Sequence, residues 1–596
     1  MSVLDRIERL RNVMEQQKID CYIIPTDDYH HSEYVGDYFK FREYITGFTG
    51  SAGTAVFTKD KAGLWTDGRY FIQAEAQLKG SGITLYKSGE SDVPTIEEFL
   101  KSELKEGDVL GFDGRTVTYA QGKRYCHIAD ENGESLKYRL DFAQNIWKER
   151  PEMSMEPVFS LEDEYTGEKI GSKLERIREI MKENGCNAHV LSSLDDIAWL
   201  LNIRGNDIAY CPLVLSYAIV YNNSVELFAD IRKFSDDIIN LLAENQVKIY
   251  PYEDIYRKVS EMTSEDKLLL DSSIMNYSLY QAISKETVIV DKQNPEILMK
   301  SVKNETQAEN LRKAHLKDAV AHTKFMYWLK KNIGRVEITE LSASARLEGL
   351  RAEQEHFLGP SFGPISAYGE HGAIVHYSAD EKSNVPLKEG KLFMTDTGGH
   401  YLEGSTDITR TVALGEVGNI EKEHFTLVAR AMLRLANTVF LYGCSGANLD
   451  CIAREVFWKE GLNFNHGTGH GVGYLLNIHE GPINFRWKEG ERPAPALEEN
   501  MVITDEPGIY IEGSHGIRLE NELLVRKTVK NEYGQFMNFE ILTYVPIDLD
   551  AILPEKMSTE EKEMLNHYHK QVYEKVSPYL SEEERIWLKE YTRAVK

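Results

Sequence analysis

Cysteine is scarce in this chain: six residues among 596, at positions 21, 126, 186, 211, 444 and 451, with no CxxC pair. That excludes a disulfide scaffold and a thiolate zinc site, and it fits a reducing compartment. An excess of positive charge is missing as well. Lys and Arg total 69 against 95 Asp and Glu, a net charge of −26. A surface so acidic repels phosphate backbones and anionic lipid, so no nucleic-acid or membrane partner is expected. Long apolar runs are also absent. The longest, Cys211 to Tyr221, falls well short of the roughly 18 residues that a spanning helix needs. The opening MSVLDRIERLRNV is charged and helix-patterned, not a basic stub before an apolar stretch, so no signal peptide is expected. What is present is a globular composition, 42% hydrophobic and 10% aromatic. At roughly 150 residues per domain, the length points to about four domains.

Periodicity orders the chain. Val3, Leu4, Ile7, Leu10, Val13 and Met14 repeat at helical spacing behind Ser2, a cap residue. A short strand, Cys21 to Ile24, follows. GFTGSAGTAVF and AGLWTDGRYF read as strands broken by glycine turns. Pro151 to Glu164 is proline- and acid-rich without periodicity and reads as a linker. The next segment starts in the same way, with a helix over Ile170 to Asn184, a strand over Ala188 to Leu191, a β-rich Tyr217 to Leu227 and a helix over Ile231 to Ala243. This predicts two related α/β domains. A third segment opens near Ser301 with a long helix, Glu305 to Lys331. The loop-rich LGPSFGPISAYGEHG, alternating strands and a second long helix, Lys422 to Leu441, come after it. Pro546 to Lys596 is polar and helical in pattern and is expected to pack on the outside.

The chemistry-bearing residues lie in the last third. Asp396 (KLFMTDTGG) and Asp407 (GSTDITRT) each follow strand-like residues, and GGHYLEG between them reads as a hairpin that could bring the carboxylates together. A plain turn-capping role is the alternative for each. HGTGHGVGYLLNIHEGP holds His466, His470 and His479 separated by glycines, which permit close backbone approach. It lacks the GxxxxGK[ST] pattern of a phosphate loop and the second histidine of HExxH. Glu506 sits before Pro507 at a strand end. Arg518 and Glu520 are two residues apart and share a side of a strand. A surface turn and an ordinary ion pair are the alternatives. As a set, two Asp, two Glu and one His would gather about −4 of charge, which two divalent cations would offset. Mostly oxygen with one imidazole suits Mn²⁺, Co²⁺, Fe²⁺ or Zn²⁺.

The motifs resemble those of the pita-bread metallopeptidases, and most closely the three-domain cytosolic type of Xaa-Pro aminopeptidase. IVHYS, TDTGGHYLEGSTDITRT, HGTGHGVGYLLNIHEGP, DEPGIY and GIRLEN look like its catalytic signatures. YIIPTDDYHHSEY, ITGFTGSAGTA, LWTDGRYF and LDDIAWLLNIRG look like its two non-catalytic domains. The resemblance implies an α/β (α+β) chain. Two related creatinase-like α/β domains, 1–157 and 158–300, would precede a pita-bread catalytic domain with a pseudo-two-fold repeat, 301–540, and its C-terminal extension, 541–596. It implies that Asp396, Asp407, His470, Glu506 and Glu520 hold two divalent ions, with Mn²⁺ the family preference and Co²⁺, Fe²⁺ and Zn²⁺ open. Asp407 and Glu520 would bridge them. His376 and His479 would contact the scissile peptide and its oxyanion, and His466 would line the proline pocket. His470 would also face substrate. Tyr510 and Arg518 would support the ligands, and Arg69 would reach the peptide. A salt bridge to Asp67 is the alternative for Arg69.

The implied reaction removes the first residue of peptides whose second residue is proline, by attack of a hydroxide bridging the metals, with Glu506 as proton carrier. Proline leaves no N–H at that bond, so general peptidases that need one fail there. A homodimer in the cytoplasm, taking peptide substrates, is the further implication. One rival is a serine hydrolase, since GPSFG places Ser361 in GxSxG. Pro364 and further glycines follow where a helix would have to start. A metal-free relative that only binds proteins is the other, but its kind loses ligands that are all present here. Prolidase, normally two-domain, is the nearest enzyme competitor.

Overall fold

The computed structural model describes residues 1–131, 135–488, 490 and 493–596. The chain divides into two compact units, one of residues 1–160 with 168–296 and one of residues 161–167 with 297–596.

The first unit holds two sheets. One is built from Cys21–Pro25 (β1), Thr54–Thr58 (β2), Ala62–Thr66 (β3), Thr84–Lys87 (β4), Val109–Phe112 (β5) and Ser135–Lys137 (β6), in the order β4-β3-β2-β1-β5-β6. The other is built from Ala188–Leu191 (β7), Tyr217–Tyr221 (β8), Val225–Phe228 (β9), Val247–Tyr250 (β10), Lys267–Leu270 (β11) and Val288–Asp291 (β12), in the order β10-β9-β8-β7-β11-β12. The two orders match strand for strand. So do the directions: β1 runs antiparallel to β2 and parallel to β5, and β7 runs antiparallel to β8 and parallel to β11. The repeated helix–strand pattern is therefore a duplication of topology. Ser2 caps the first helix, Val3–Gln17, in a capping box with Asp5, and Ile7, Leu10 and Met14 are its buried stripe.

In the second unit, the helix Glu305–Asn332 starts at a capping box of Asn304 and Gln307. Ile365–Tyr368 and Ile408–Leu414 flank Lys391–Thr397 antiparallel in a three-stranded sheet. A six-stranded sheet runs Phe440–Leu441, Gly534–Ile541, Asn521–Asn531, Val502–Asp505, Gly469–Val472, His479–Phe485. A separate hairpin pairs Gly508–Ile511 with His515–Arg518. One core joins these sheets to the helices.

Three expectations change in detail. The helix expected to reach Leu441 is Asn419–Ala436, and Phe440–Leu441 is an edge strand. The helix expected from Ile231 begins at Asp236, where Ser235 accepts from Ile238 N. The C-terminal segment is helical, Thr559–Val576 and Glu582–Tyr591, yet it is not merely an outer layer. Leu565, Val572, Val576 and Leu588 enter the core. The Tyr568 hydroxyl, also buried, donates to Val545 O at 2.6 Å and accepts from Arg410 Nη2 at 2.7 Å. Glu561 and His569 of the first of these helices are buried as well. Among the described residues no helix is long and apolar enough to cross a membrane.

Candidate metal centre

Four segments deliver five side chains to one place. Asp396 lies on Lys391–Thr397 opposite Thr409 of the next strand, and the hairpin Gly399–Tyr401 with Gly404–Ser405 returns the chain so that Asp407 stands immediately before that strand, Ile408–Leu414. Glu506 follows Val502–Asp505 and fixes its backbone by donating its N–H to Thr468 O at 2.8 Å. Glu520 sits between Arg518 and the Asn521–Asn531 strand, and its Oε2 accepts from the Thr409 hydroxyl at 2.8 Å. His470 is on Gly469–Val472. The glycines beside it are required by proximity. A Cβ on Gly469 would stand 1.9 Å from Thr504 O, and one on Gly471 would stand 2.3 Å from Glu480 O. Ligand atoms of Asp396, Asp407 and Glu520 lie within 4.8 Å of one another, as do those of His470, Glu506 and Glu520. Those of Asp407, His470 and His479 form a third such group.

Charge explains what the cluster can hold. Burial pushes the Glu506 carboxyl up to about 7, and Asp407 and Asp396 add to the rise. Burial also raises Asp396, against the opposing pull of Arg518, and raises Glu520 well above the carboxylate range with Asp407 and Glu506 adding to it. Burial disfavours a charged His470, yet Asp407 and Glu506 lift it to about 9. Its Nε2 lies 3.4 Å from Asp407 Oδ2 and 3.9 Å from Glu506 Oε1. The carboxylates thus draw a proton onto the imidazole nitrogen that would bind a cation. Asp396 Oδ1 is buried with no hydrogen-bond partner. An oxygen-rich set with one imidazole, one orphaned carboxylate oxygen and a shortage of positive charge fits divalent metal ions.

The neighbours are tied to this set. His470 Nδ1 bonds Gly471 O at 2.9 Å, which leaves Nε2 facing the carboxylates. The His479 ring lies 4.4 Å from that of His470, centroid to centroid. Arg518 donates from Nη1 to the Tyr510 hydroxyl at 2.7 Å and from Nη2 to Val375 O at 3.3 Å. The Tyr510 hydroxyl bonds His466 Nε2 at 2.8 Å, and His466 Nδ1 bonds Gly467 O at 2.7 Å. Burial and Arg518 press His466 down to about 3, so it is neutral. His376, half-buried, follows Val375 and is near enough that its charge also lowers His466. Arg69 belongs to the first unit, where its Nε and Nη2 each bond Asp67 at 2.8 Å. Ser361 is buried and donates to Thr406 O at 2.8 Å, with no helix after it.

Sequence reading missed Glu522. It is buried, accepts from the Asp407 N–H at 2.6 Å, and its Oε2 faces His315 Nε2 at 3.1 Å. Its signal was the second glutamate of LENE, on the same side of the strand as Glu520.

Comparison with known proteins adds identity to this geometry. The description "Metallopeptidase family M24" matches residues 309–527, and "Creatinase/Prolidase N-terminal domain" matches twice, at 6–136 and 149–307. The C-terminal region of that peptidase family matches 535–595. Xaa-Pro aminopeptidase 1 of Dictyostelium discoideum is 36% identical, over 97% of this chain and 94% of its own length. The chain belongs to the Xaa-Pro aminopeptidases of metallopeptidase family M24. Aminopeptidase P1 of Arabidopsis thaliana, another member, is 34% identical over 99% of both chains. The X-prolyl aminopeptidase of Caenorhabditis elegans, described as a cytosolic enzyme with a di-nuclear active site, superposes over 100% of both chains. Its TM-score is 0.94 and its identity 33%. The family's double N-terminal match falls on the duplicated sheets.

Proposed function

We propose that the protein removes the N-terminal residue from peptides with proline in second place, using two divalent metal ions held by Asp396, Asp407, His470, Glu506 and Glu520. The observation that carries this is that the four carboxylates and His470 fall into overlapping groups, Asp396–Asp407–Glu520 and His470–Glu506–Glu520, whose ligand atoms lie within 4.8 Å of one another, in a chain of this family. When bound, the ions offset the carboxylate charge and supply the Lewis acidity that makes a nucleophile of water near neutral pH. The side chains do the rest. Glu506 carries the proton from the attacking water to the proline nitrogen, which must be protonated to leave. His376 and His479 donate to the oxyanion of the scissile carbonyl. His466 presents a neutral ring to the proline, its tautomer held by Gly467 and by the Tyr510–Arg518 pair. Arg69 is assigned to the peptide on family likeness, although it bonds Asp67 here.

Mn²⁺ as the resident ion, a homodimer and a cytoplasmic location belong to the same proposal, supported by likeness to the family. So does the division into 1–157, 158–300, 301–540 and 541–596. The experiment is cleavage of an X-Pro-Y tripeptide against an X-Pro dipeptide, with and without added Mn²⁺. Metal-dependent release of X from the tripeptide is expected. Preference for the dipeptide would point to a prolidase, and metal-independent cleavage would refute the reading.

A further inference from the structure

His376 lies on a short irregular segment, so something must hold it. The helix Glu340–Ala352 begins at Glu340, behind the Thr339 cap. Glu340 is fully buried, and burying a carboxylate is costly unless each lone pair is met. Here both oxygens are met. Oε1 accepts from the Tyr368 N–H at 2.8 Å and from His371 Nδ1 at 2.8 Å. Oε2 accepts from the Tyr377 hydroxyl at 2.9 Å and from the Val385 N–H at 3.4 Å. The start of a helix, where backbone N–H groups point outward, favours that negative charge.

The partners share one feature: Tyr368, His371 and Tyr377 bracket the segment that carries His376. Tyr368 ends the strand Ile365–Tyr368, which pairs with the Asp396 strand, Ile365 opposite Asp396. The rings of His371 and Tyr377 stack at 4.5 Å. Between them Ile374 N donates to His371 O and Tyr377 N donates to Ile374 O, both at 3.0 Å. Two further contacts act from the other side. Arg518 Nη2 donates to Val375 O. Gly372 meets Gly516 so closely that a Cβ on Gly516 would stand 1.6 Å from Gly372 O. The segment is clamped between a fixed hairpin and one buried carboxylate.

We propose that Glu340 is a positioning residue for the reaction: through His371 and Tyr377 it sets where His376 meets the substrate. This rests on the role given to His376 above. None of the four groups that bond the Glu340 carboxylate belongs to the five proposed metal ligands, so its loss should act on turnover and leave metal content alone. A misplacement of about 1 Å is enough for a loss near 10²-fold.

The test compares the full-length, metal-loaded wild type with Glu340→Ala, Glu340→Gln, His376→Ala and the Glu340→Ala/His376→Ala double variant, on an X-Pro-Y peptide. Metal content and a crystal structure of each Glu340 variant are also measured. Expected are a kcat loss of about 10²-fold in Glu340→Ala with KM little changed and metal content kept. A smaller loss is expected in Glu340→Gln, which keeps one acceptor oxygen, and no further loss when His376→Ala is combined. The crystal structure should show segment 369–377 displaced. Unchanged kcat, a loss that tracks lost metal, multiplying losses in the double variant or an unmoved segment would overturn the proposal. Should Glu340→Ala not fold, Glu340→Gln decides by the same readouts. A displaced segment in a protein whose wild type ignores X-Pro peptides would refute the peptidase reading, and with it the catalytic role of Glu340, while still showing that Glu340 holds segment 369–377.

Discussion

Arg518 Nη2 lies 2.5 Å from Asp396 Oδ2, although 122 positions separate the two residues. Both side chains are nearly out of solvent, so each depends on the other. Replacing Arg518 by Ala strands a buried carboxylate, at a cost of about 3–5 kcal/mol. The metal-free protein should melt several degrees lower. Added metal should recover part of the loss, because it restores positive charge beside Asp396. Equal melting of variant and wild type without metal would contradict this.

Glu522 holds the Asp407 backbone and faces His315. Removing such an outer support typically weakens metal affinity 10- to 100-fold. Glu522→Ala should therefore need about that much more free metal for half-maximal activity, measured in metal-buffered solution, while saturated turnover is largely restored.

Ser361 is spoken for by Thr406 O. Ser361→Ala should keep turnover within about two-fold and lose about 1 kcal/mol of stability, the value of one neutral hydrogen bond. A chelator should abolish activity and a serine-directed reagent should not. Loss of activity in Ser361→Ala would revive the hydrolase alternative.

Much of this was legible in the chain because its causes are local. The alternating glycines around His470 announce close backbone approach, and Asp396, GGHYLEG and Asp407 announce a hairpin between two carboxylates. Repeated helix–strand order announced the duplicated sheets. What was hidden depends on partners distant in sequence. Glu340 and Glu522 look like ordinary helix and strand glutamates until the fold places Tyr377 or the Asp407 N–H against them. The Asn419–Ala436 helix ends early because Phe440 and Leu441 pair with Met537 and Phe536, which apolar periodicity alone cannot foresee.

Buried neutral histidines weaken the fold in acid, and His569 and His30 are two of them. His569 accepts from Ile547 N–H at 3.1 Å, and burial and Arg410 press it down to about 3. His30 bonds Ser192 O and the Tyr252 hydroxyl, and burial lowers it to about 4. Both folded values lie below the unfolded value near 6.5, so the unfolded chain takes up protons first. Their contribution is complete above pH 6.5 and falls by about 1.4 kcal/mol per unit per histidine as the pH drops toward 4. His569→Asn, which keeps an acceptor, should melt with a shallower dependence on pH between 6.5 and 5 than the wild type. Parallel curves would contradict the assignment.

The most direct measurement is a titration of metal-stripped protein with Mn²⁺, following release of the first residue from an X-Pro-Y peptide. Activity should be absent at the start and should rise to a plateau at two equivalents per chain. Full activity before any metal is added, or a plateau that bears no relation to two bound ions, would contradict the account.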